Sequence, residues 1–346
     1  MRILFKHVLV CASFALGAAT AHAEPVVTLE MLSTSAGSVP ILGQAAHRLA
    51  EKVKRASGGE IEITFREPSG ALTGSEVANA VAEGKVDAAW AGAGWFSTHD
   101  ITFNFFSSVP FGPGVGEYLA WMYEGGGLEM ARRMFQAQGV YNIPCGLTPP
   151  EASGWFRHEI RSLDDLKGMK MRFFGLGAKV MEKMGVETID IPPPEIFSAL
   201  QSGKLDAAEF SLPATDEPLG LQEVAKYYYF PGWHQPATFF DLDINLAVWD
   251  KLEDRHKAII ELACSDEIRE MVAESEAAQW KTIDALKAEG VHIRRWPPLV
   301  LVAFEDAWKE VVAEESAKNP NFKRVYESYA AFREKFRPWK FLSSLD

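Results

Sequence analysis

The sequence predicts an α/β protein of two similar lobes, braced by one long helix and completed by further C-terminal helices. Three observations predict it. A strand–helix–strand unit occurs twice, the stretch from Asp266 to Glu289 contains neither Pro nor Gly, and 346 residues with 47% hydrophobic and 12% aromatic content are enough for two cores. The same composition excludes a disordered chain, and Gly and Pro show no fibrous period. The formal net charge is −12, from 35 Lys+Arg against 47 Asp+Glu. Without a basic stripe, that balance excludes the phosphate neutralisation on which nucleic-acid affinity rests.

The chain begins with Arg2 and Lys6, an apolar stretch from Val8 to Ala19, and Ala21-His22-Ala23 before Glu24. Basic, apolar and small-residue regions in that order read as an export signal over residues 1–23, cleaved after Ala23 to leave an exported protein. The apolar run is too short and too rich in Ala, Gly and Ser to anchor the chain in a membrane. Cleavage removes two positive charges and no acid, so the mature chain is more acidic still. Its cysteines, Cys145 and Cys264, lack metal-like spacing. They read as two buried thiols, with pairing in an oxidising compartment as the alternative.

In the first unit, Ile61, Ile63 and Phe65 alternate with polar residues as a strand over Glu60–Phe65. Thr73 and Glu76 form a capping box at the start of a helix with Val77, Ala80 and Val81 on one face, and Gly84 suits its stop. Lys85–Trp90 then reads as a buried strand. In the second unit, Lys170–Phe174 is a strand and Ala178–Met184 a helix. A further helix after Pro192-Pro193-Pro194 carries Ile196, Ala199 and Leu200 and ends at Gly203, and Lys204–Glu209 follows. Both units contain Gly-Lys-x-Asp-Ala-Ala, starting at Gly84 and at Gly203. Strands alternating with helices imply parallel sheets. The expected organisation is a first lobe over 24–148, completed by roughly 237–265, and a second over 149–236. The helix of 266–289, about 36 Å long at 1.5 Å per residue, would brace both. A helical region over 290–346 follows, with helices at Pro298–Ala317 and Asn321–Phe336.

Catalytic signatures are missing: there is no Gly-x-Ser-x-Gly elbow, His-Glu-x-x-His pair or Walker loop. Gly175-Leu176-Gly177 starts a dinucleotide fingerprint, but Val180 stands where its third glycine belongs, so no organic cofactor is expected. The eight histidines do not cluster, and His234 reads as a surface or satisfied core residue. What remains is Arg172, interrupting an apolar strand, and Glu209, at the strand end where the first unit has Trp90. Trp155, Phe210 and Trp233 supply an aromatic setting. A guanidinium presents a planar fork matched to a carboxylate, so an organic acid is the natural ligand. The alternative is an internal Arg172–Glu209 ion pair in an aromatic core.

Several stretches resemble a known family. They are Phe103-Asn104-Phe105-Phe106 with Val109-Pro110-Phe111-Gly112, Gly154-Trp155-Phe156-Arg157, Lys170-Met171-Arg172, Tyr227-Tyr228-Tyr229 with Pro231-Gly232-Trp233, and Tyr329 through Trp339. They resemble the DctP-type solute-binding proteins of tripartite ATP-independent periplasmic (TRAP) transporters, and within them the TakP-like subgroup that binds 2-oxoacids. The resemblance covers the mature chain. It implies a two-lobed periplasmic-binding-protein fold, a small organic acid held in the cleft without turnover, and delivery to membrane permease subunits. The arginine of Lys-x-Arg, here Arg172, would hold the ligand carboxylate. A Ca²⁺ or Na⁺ ion would bridge ligand and protein, and a homodimer would form by exchange of C-terminal helices.

The chain departs from that pattern around the ligand. Glu151 stands in place of a Gln, Phe210 in place of a Trp, and Ser211-Leu212-Pro213-Ala214-Thr215-Asp216 in place of a more polar turn. The expected substrate-binding set is therefore Arg172, Glu151, Trp155, Phe210 and Trp233, and the metal set is Glu151, Glu209 and the Phe210 backbone carbonyl. Arg172, Glu151 and Glu209 with a monocarboxylate sum to −2, and burying uncompensated charge costs several kcal/mol per ion as an order of magnitude. That count favours calcium over sodium. Other readings are a zwitterionic or polyhydroxylated ligand facing Glu151, service to an ATP-driven importer, and an enzyme using Glu151 and Glu209 as acid and base.

Overall fold

The computed structural model describes residues 25–68 and 72–343. The expected export signal lies outside the described residues. No helix among the described residues is long and apolar enough to cross a membrane.

The strands, in chain order, are β1 (Val27–Ser33), β2 (Ile61–Arg66), β3 (Ala88–Ala91), β4 (Val140–Thr148), β5 (Gly154–Phe156), β6 (Lys170–Arg172), β7 (Glu187–Ile189), β8 (Ala207–Ala208), β9 (Tyr227–Phe230), β10 (Thr238–Asn245) and β11 (His292–Arg295). They form two sheets, β2-β1-β3-β10-β4 and β11-β9-β5-β8-β6-β7. Strands β1, β2 and β3 run parallel, with β10 antiparallel to β3 and β4 antiparallel to β10. The second sheet repeats the scheme: β6, β7 and β8 run parallel, β5 is antiparallel to β8, and β9 is antiparallel to β5. In each sheet the antiparallel strand next to the parallel set arrives from the other lobe. The chain therefore crosses between lobes after β4 and after β9, and again along the long helix that leads from β10 to β11.

The repeat is real but its strand alignment differs from the expected one. The strand at Glu60 corresponds to β7, and β6 corresponds to β1, which the sequence reading left out. The evidence lies in the pairing: Met31 on β1 faces Ala88 as Met171 on β6 faces Ala207. The shared aspartates explain the motif. Asp87 Oδ2 accepts a hydrogen bond from Glu30 N, and Asp206 Oδ2 accepts one from Lys170 N, each at 2.9 Å. Gly84 and Gly203 take φ of 71° and 75°, a left-handed turn that lets the helix end and the chain reverse into the strand. Arg172 therefore occupies the place that Leu32 holds in the first lobe.

The capping box forms as predicted, with Thr73 Oγ1 accepting from Glu76 N at 3.3 Å and Glu76 Oε2 accepting from Thr73 N at 2.7 Å. The long helix runs Asp254–Ala288, starting twelve residues before the expected Asp266. At about 52 Å it passes both lobes, with Ile260, Cys264 and Met271 in the core of the first sheet and Leu286 in that of the second. Its first turns were missed because His256, Ile260, Ala263 and Glu267, the buried positions, mix polar with apolar residues and blur the helical period. The region after 290 is not all helical. Strand β11 pairs in parallel with β9, and helices Pro298–Lys318 and Pro320–Ser343 follow. The last helix packs Phe322, Val325 and Tyr329 into its own chain, and Arg333 Nε lies 2.9 Å from Glu117 Oε1.

The two cysteines are bonded to each other and are not free thiols. Both are fully buried, one on β4 and one on the long helix, and the bond closes a loop with a sequence separation of 119. Replacing both by alanine should lower unfolding stability by about 2–4 kcal/mol, measured by urea titration; an unchanged midpoint would show that packing alone holds the helix on the sheet.

Candidate functional site

The crossings after β4 and β9, the C-terminal end of β6 and the segment after β8 meet at one cavity of about 80 Å³ between the lobes. The first lobe contributes Trp95, Thr238 and Phe240 to its wall; the second contributes Arg172, Phe174, Glu209 and Phe210, and the crossings contribute Glu151 and Gln235. Trp95 and Phe174 touch across the cleft, with ring centroids 4.3 Å apart. Gly94 permits this approach, since a Cβ there would stand 2.8 Å from the Phe174 ring.

Arg172 is buried, and both of its protein hydrogen bonds run from Nη1: to the Glu209 backbone carbonyl at 2.5 Å and to Glu209 Oε2 at 2.7 Å. Its Nε has no partner among the described residues. The Nε–Nη2 edge is thus the part of the fork left for a ligand. The guanidinium lies 5.8 Å from the Phe210 ring, a favourable cation–π placement. The internal ion pair weighed as an alternative does form, yet it uses only one side of the arginine.

Glu209 turns its other oxygen, Oε1, toward His234 Nε2 at 3.4 Å, outside hydrogen-bond geometry. Neither that oxygen nor either His234 nitrogen has a hydrogen-bond partner among the described residues. Glu151 completes the group: one donor atom each from Glu151, Glu209 and His234 lie within 4.8 Å of one another. Two carboxylate oxygens and an imidazole nitrogen, all buried, suit a small cation. His234 is therefore neither on the surface nor satisfied. The sequence reading missed it, along with Gln235 and Thr238, because nothing local marks the second crossing as a wall of the site.

Gln235 Nε2 donates to Glu151 Oε2 at 3.1 Å, and Thr238 Oγ1 to Oε1 at 3.4 Å. Glu151 N also donates to the Gln235 carbonyl at 3.2 Å, so the crossings are tied together at this residue. Burial pushes the Glu151 carboxyl well above the usual carboxylate range; the charges of Glu209 and Asp216 act the same way, and the two hydrogen bonds offset only part. Burial also opposes ionisation of Glu209, but Arg172 and the adjacent His234 outweigh it and hold this carboxyl below its usual range. Burial and neighbouring charge thus push the two carboxyls in opposite directions, favouring the proton on Glu151 over Glu209.

Two expected wall residues stand elsewhere. Trp155 stacks on Tyr228 with centroids 3.9 Å apart, and both donate to Asp216 Oδ2 at 2.8 Å. Ser211 N donates to Asp216 Oδ1 at 2.9 Å, so Trp155 supports the turn behind Phe210 instead of lining the cavity. Burial raises the Asp216 carboxyl to about 7 despite these bonds. Trp233 packs against Phe111, Phe173 and Phe304 in the core. Trp95, Phe174 and Phe240 take the places expected for these two tryptophans.

The family described as bacterial extracellular solute-binding protein, family 7 (DctP), matches residues 32–319. A monocarboxylate 2-oxoacid-binding periplasmic protein of Nostoc sp. is 33% identical over 300 residues, covering 87% of this chain and 82% of its own. Among solved structures, a TRAP transporter solute-binding protein of Bordetella bronchiseptica superposes with a TM-score of 0.89 at 30% identity, covering 92% of this chain and 95% of that one. It is a mixed-occupancy dimer with copurified calcium and picolinate in a bound site beside an apo site. A TRAP periplasmic solute-binding protein of Pseudoalteromonas atlantica, with bound sodium and pyruvate, gives 0.86 at 29% identity, covering 93% and 97%.

The raised Glu151 carboxyl makes stability depend on pH. The unfolded chain releases its proton above about pH 4.3 while the folded protein keeps it, so stability falls by up to about 1.4 kcal/mol per pH unit until the folded value is passed. Glu151→Gln lacks that term. In EDTA without ligand, its stability relative to the parent should rise with pH from about pH 4.3 upward, followed by urea unfolding at several pH values. A pH-independent difference would mean that Glu151 is ionised in the folded protein.

Proposed function

Because the chain belongs to the DctP family of bacterial extracellular solute-binding proteins, we propose that it captures a small 2-oxo- or 2-hydroxymonocarboxylate between its lobes. It then delivers the acid, chemically unaltered, from the periplasm to the permease subunits of a TRAP transporter. The observation that carries this reading is the free Nε–Nη2 edge of a buried arginine whose other side is held by Glu209. A carboxylate accepts two hydrogen bonds from that edge. The cavity, about 80 Å³, is far smaller than the roughly 300–1,000 Å³ of drug-sized sites and suits an acid of a few carbons.

Arg172 does not supply the affinity alone. Two charge-assisted hydrogen bonds contribute roughly 3–6 kcal/mol, whereas micromolar binding requires about 8 kcal/mol. The aromatic walls from Trp95, Phe174, Phe210 and Phe240 exclude water and provide the remainder. A calcium or sodium ion held by Glu209, Glu151 and the Phe210 backbone carbonyl, with His234 beside them, would supply the positive charge that the 2-oxygen and carboxylate of the ligand need. Glu151 decides which charge balances. Protonated, it leaves Arg172 and Glu209 cancelling, and a bound monocarboxylate calls for one positive charge; ionised, it calls for two. The preference for calcium drawn from the plain charge count therefore becomes conditional on the Glu151 proton.

The same reading includes a homodimer through the last helix, whose end exposes Trp339, Phe341 and Leu342 beyond the part packed on its own chain.

Arg172→Ala should abolish the thermal stabilisation that pyruvate gives the folded protein; a shift of parental size would place the anchor elsewhere. Calorimetry of Glu151→Gln in EDTA, sodium and calcium gives a second check. The variant should keep binding in sodium and lose any advantage of calcium, whereas identical ion dependence in parent and variant would remove Glu151 from the charge balance.

A further inference from the structure

A second polar cluster lies in the first lobe, away from the cavity. Strand β10 alternates: Phe240, Leu242 and Ile244 join the core on the long-helix side of the sheet, while Phe239 packs against Tyr118 on the other side. Asp241 and Asp243 share the Phe239 face. Asp243 pairs in register with Asn142 on β4, which sets the two side chains next to each other on one face. All three residues are buried, at 1%, 0% and 1% exposure for Asp241, Asp243 and Asn142. Neither oxygen of either carboxyl, and neither atom of the Asn142 amide, has a hydrogen-bond partner among the described residues. On the opposite side of β10, the residues in register are Ala91 and Ala89, which offer no side-chain hydrogen-bonding group to the acids.

Buried polar groups are nearly always partnered, and a set left unpartnered together calls for an ion or water between them. Asn142 stands in register with Asp243 yet leaves both amide atoms unbonded, so its carbonyl oxygen remains available with the four carboxyl oxygens. Oxygen-only donors select hard cations, and two carboxylates match a divalent one in charge. We propose that Asp241, Asp243 and the Asn142 side-chain carbonyl form a buried structural site for a hard divalent cation of the calcium or magnesium kind, separate from the interlobe cavity. Such an ion clamps β10 to β4. Since β10 begins at Thr238 and Phe240 in the cavity wall, the clamp also fixes the first-lobe side of the ligand site.

The test uses the full chain carrying Glu209→Gln, which weakens cation binding in the cleft, after chelation and re-addition of calcium or magnesium alone. Native mass spectrometry should show one divalent ion per chain, and the ion should raise Tm by several degrees. Adding Asp241→Asn with Asp243→Asn should remove both the ion and the Tm shift. Loss of all divalent binding in the Glu209→Gln protein overturns the proposal, and that readout stands even if the triple variant does not fold. Retention of the ion by a folded triple variant overturns it as well, because the ion then sits in the cleft. A triple variant as stable in EDTA as its Glu209→Gln parent, with neither binding an ion, would mean that the acids are simply buried in neutral form.

Discussion

The buried pairing of Arg172 with Glu209 is the interaction on which the rest of the site depends. A guanidinium at that depth is tolerated only with a partner, since an uncompensated buried charge costs several kcal/mol as an order of magnitude. Strand register provides the partner: Arg172 on β6 faces Ala208 on β8, and Glu209 is the next residue. The geometry engages one side of the arginine and leaves the other free, so a single pair both stabilises the charge and presents it to a ligand. Burial opposes ionisation of Glu209, but the charge of Arg172 outweighs it and lowers that carboxyl, while burial and then the charge of Glu209 raise the Glu151 carboxyl.

Two lobes of the same strand order enclose this pair, and the difference between them is chemical. Where the second lobe has Arg172 and Glu209, the first has Leu32 and Trp90, both buried and apolar in character. One lobe therefore offers charge and the other offers shape and aromatic surface. In the proposed complex the ligand carboxylate would be anchored on one side while Trp95 and Phe240, which line the cavity, would cover it from the other. The protein as a whole is acidic, so its net field gives no attraction to an anion; capture is local.

Much of this was legible in the chain. Capping residues, helix-ending glycines and the Gly-Lys-x-Asp motif announce themselves within a few residues, because they satisfy local backbone groups. Arg172 and Glu209 stood out because charge in an apolar strand has few structural explanations. Trp155 and Trp233 misled for the converse reason: an aromatic next to a site in sequence is equally at home in the core beneath it. Trp155 supports Asp216 and Trp233 fills the core, whereas the rings that line the cavity are Phe174 and Phe210, beside Arg172 and Glu209 in sequence, with Trp95 and Phe240 from the first lobe. The strand at Glu60 was matched to the wrong partner because β1, the true counterpart of β6, lies well before the motif, and the equivalence shows only in the strand pairing and in the hydrogen bonds of Asp87 and Asp206.

The sequence by itself determined the fold class, the duplication, the buried arginine and its acidic partner, and the family resemblance, because each rests on patterns of short range or on motifs. Tertiary structure decided which side of the arginine is free, that burial raises the Glu151 carboxyl, that Gln235 and Thr238 join the wall with His234 set beside Glu209, and that Cys145 and Cys264 bond. Those facts depend on segments far apart in sequence meeting at the two crossings and along one helix. Burial and neighbouring charge, which set the protonation of Glu151, exist only once that meeting has occurred.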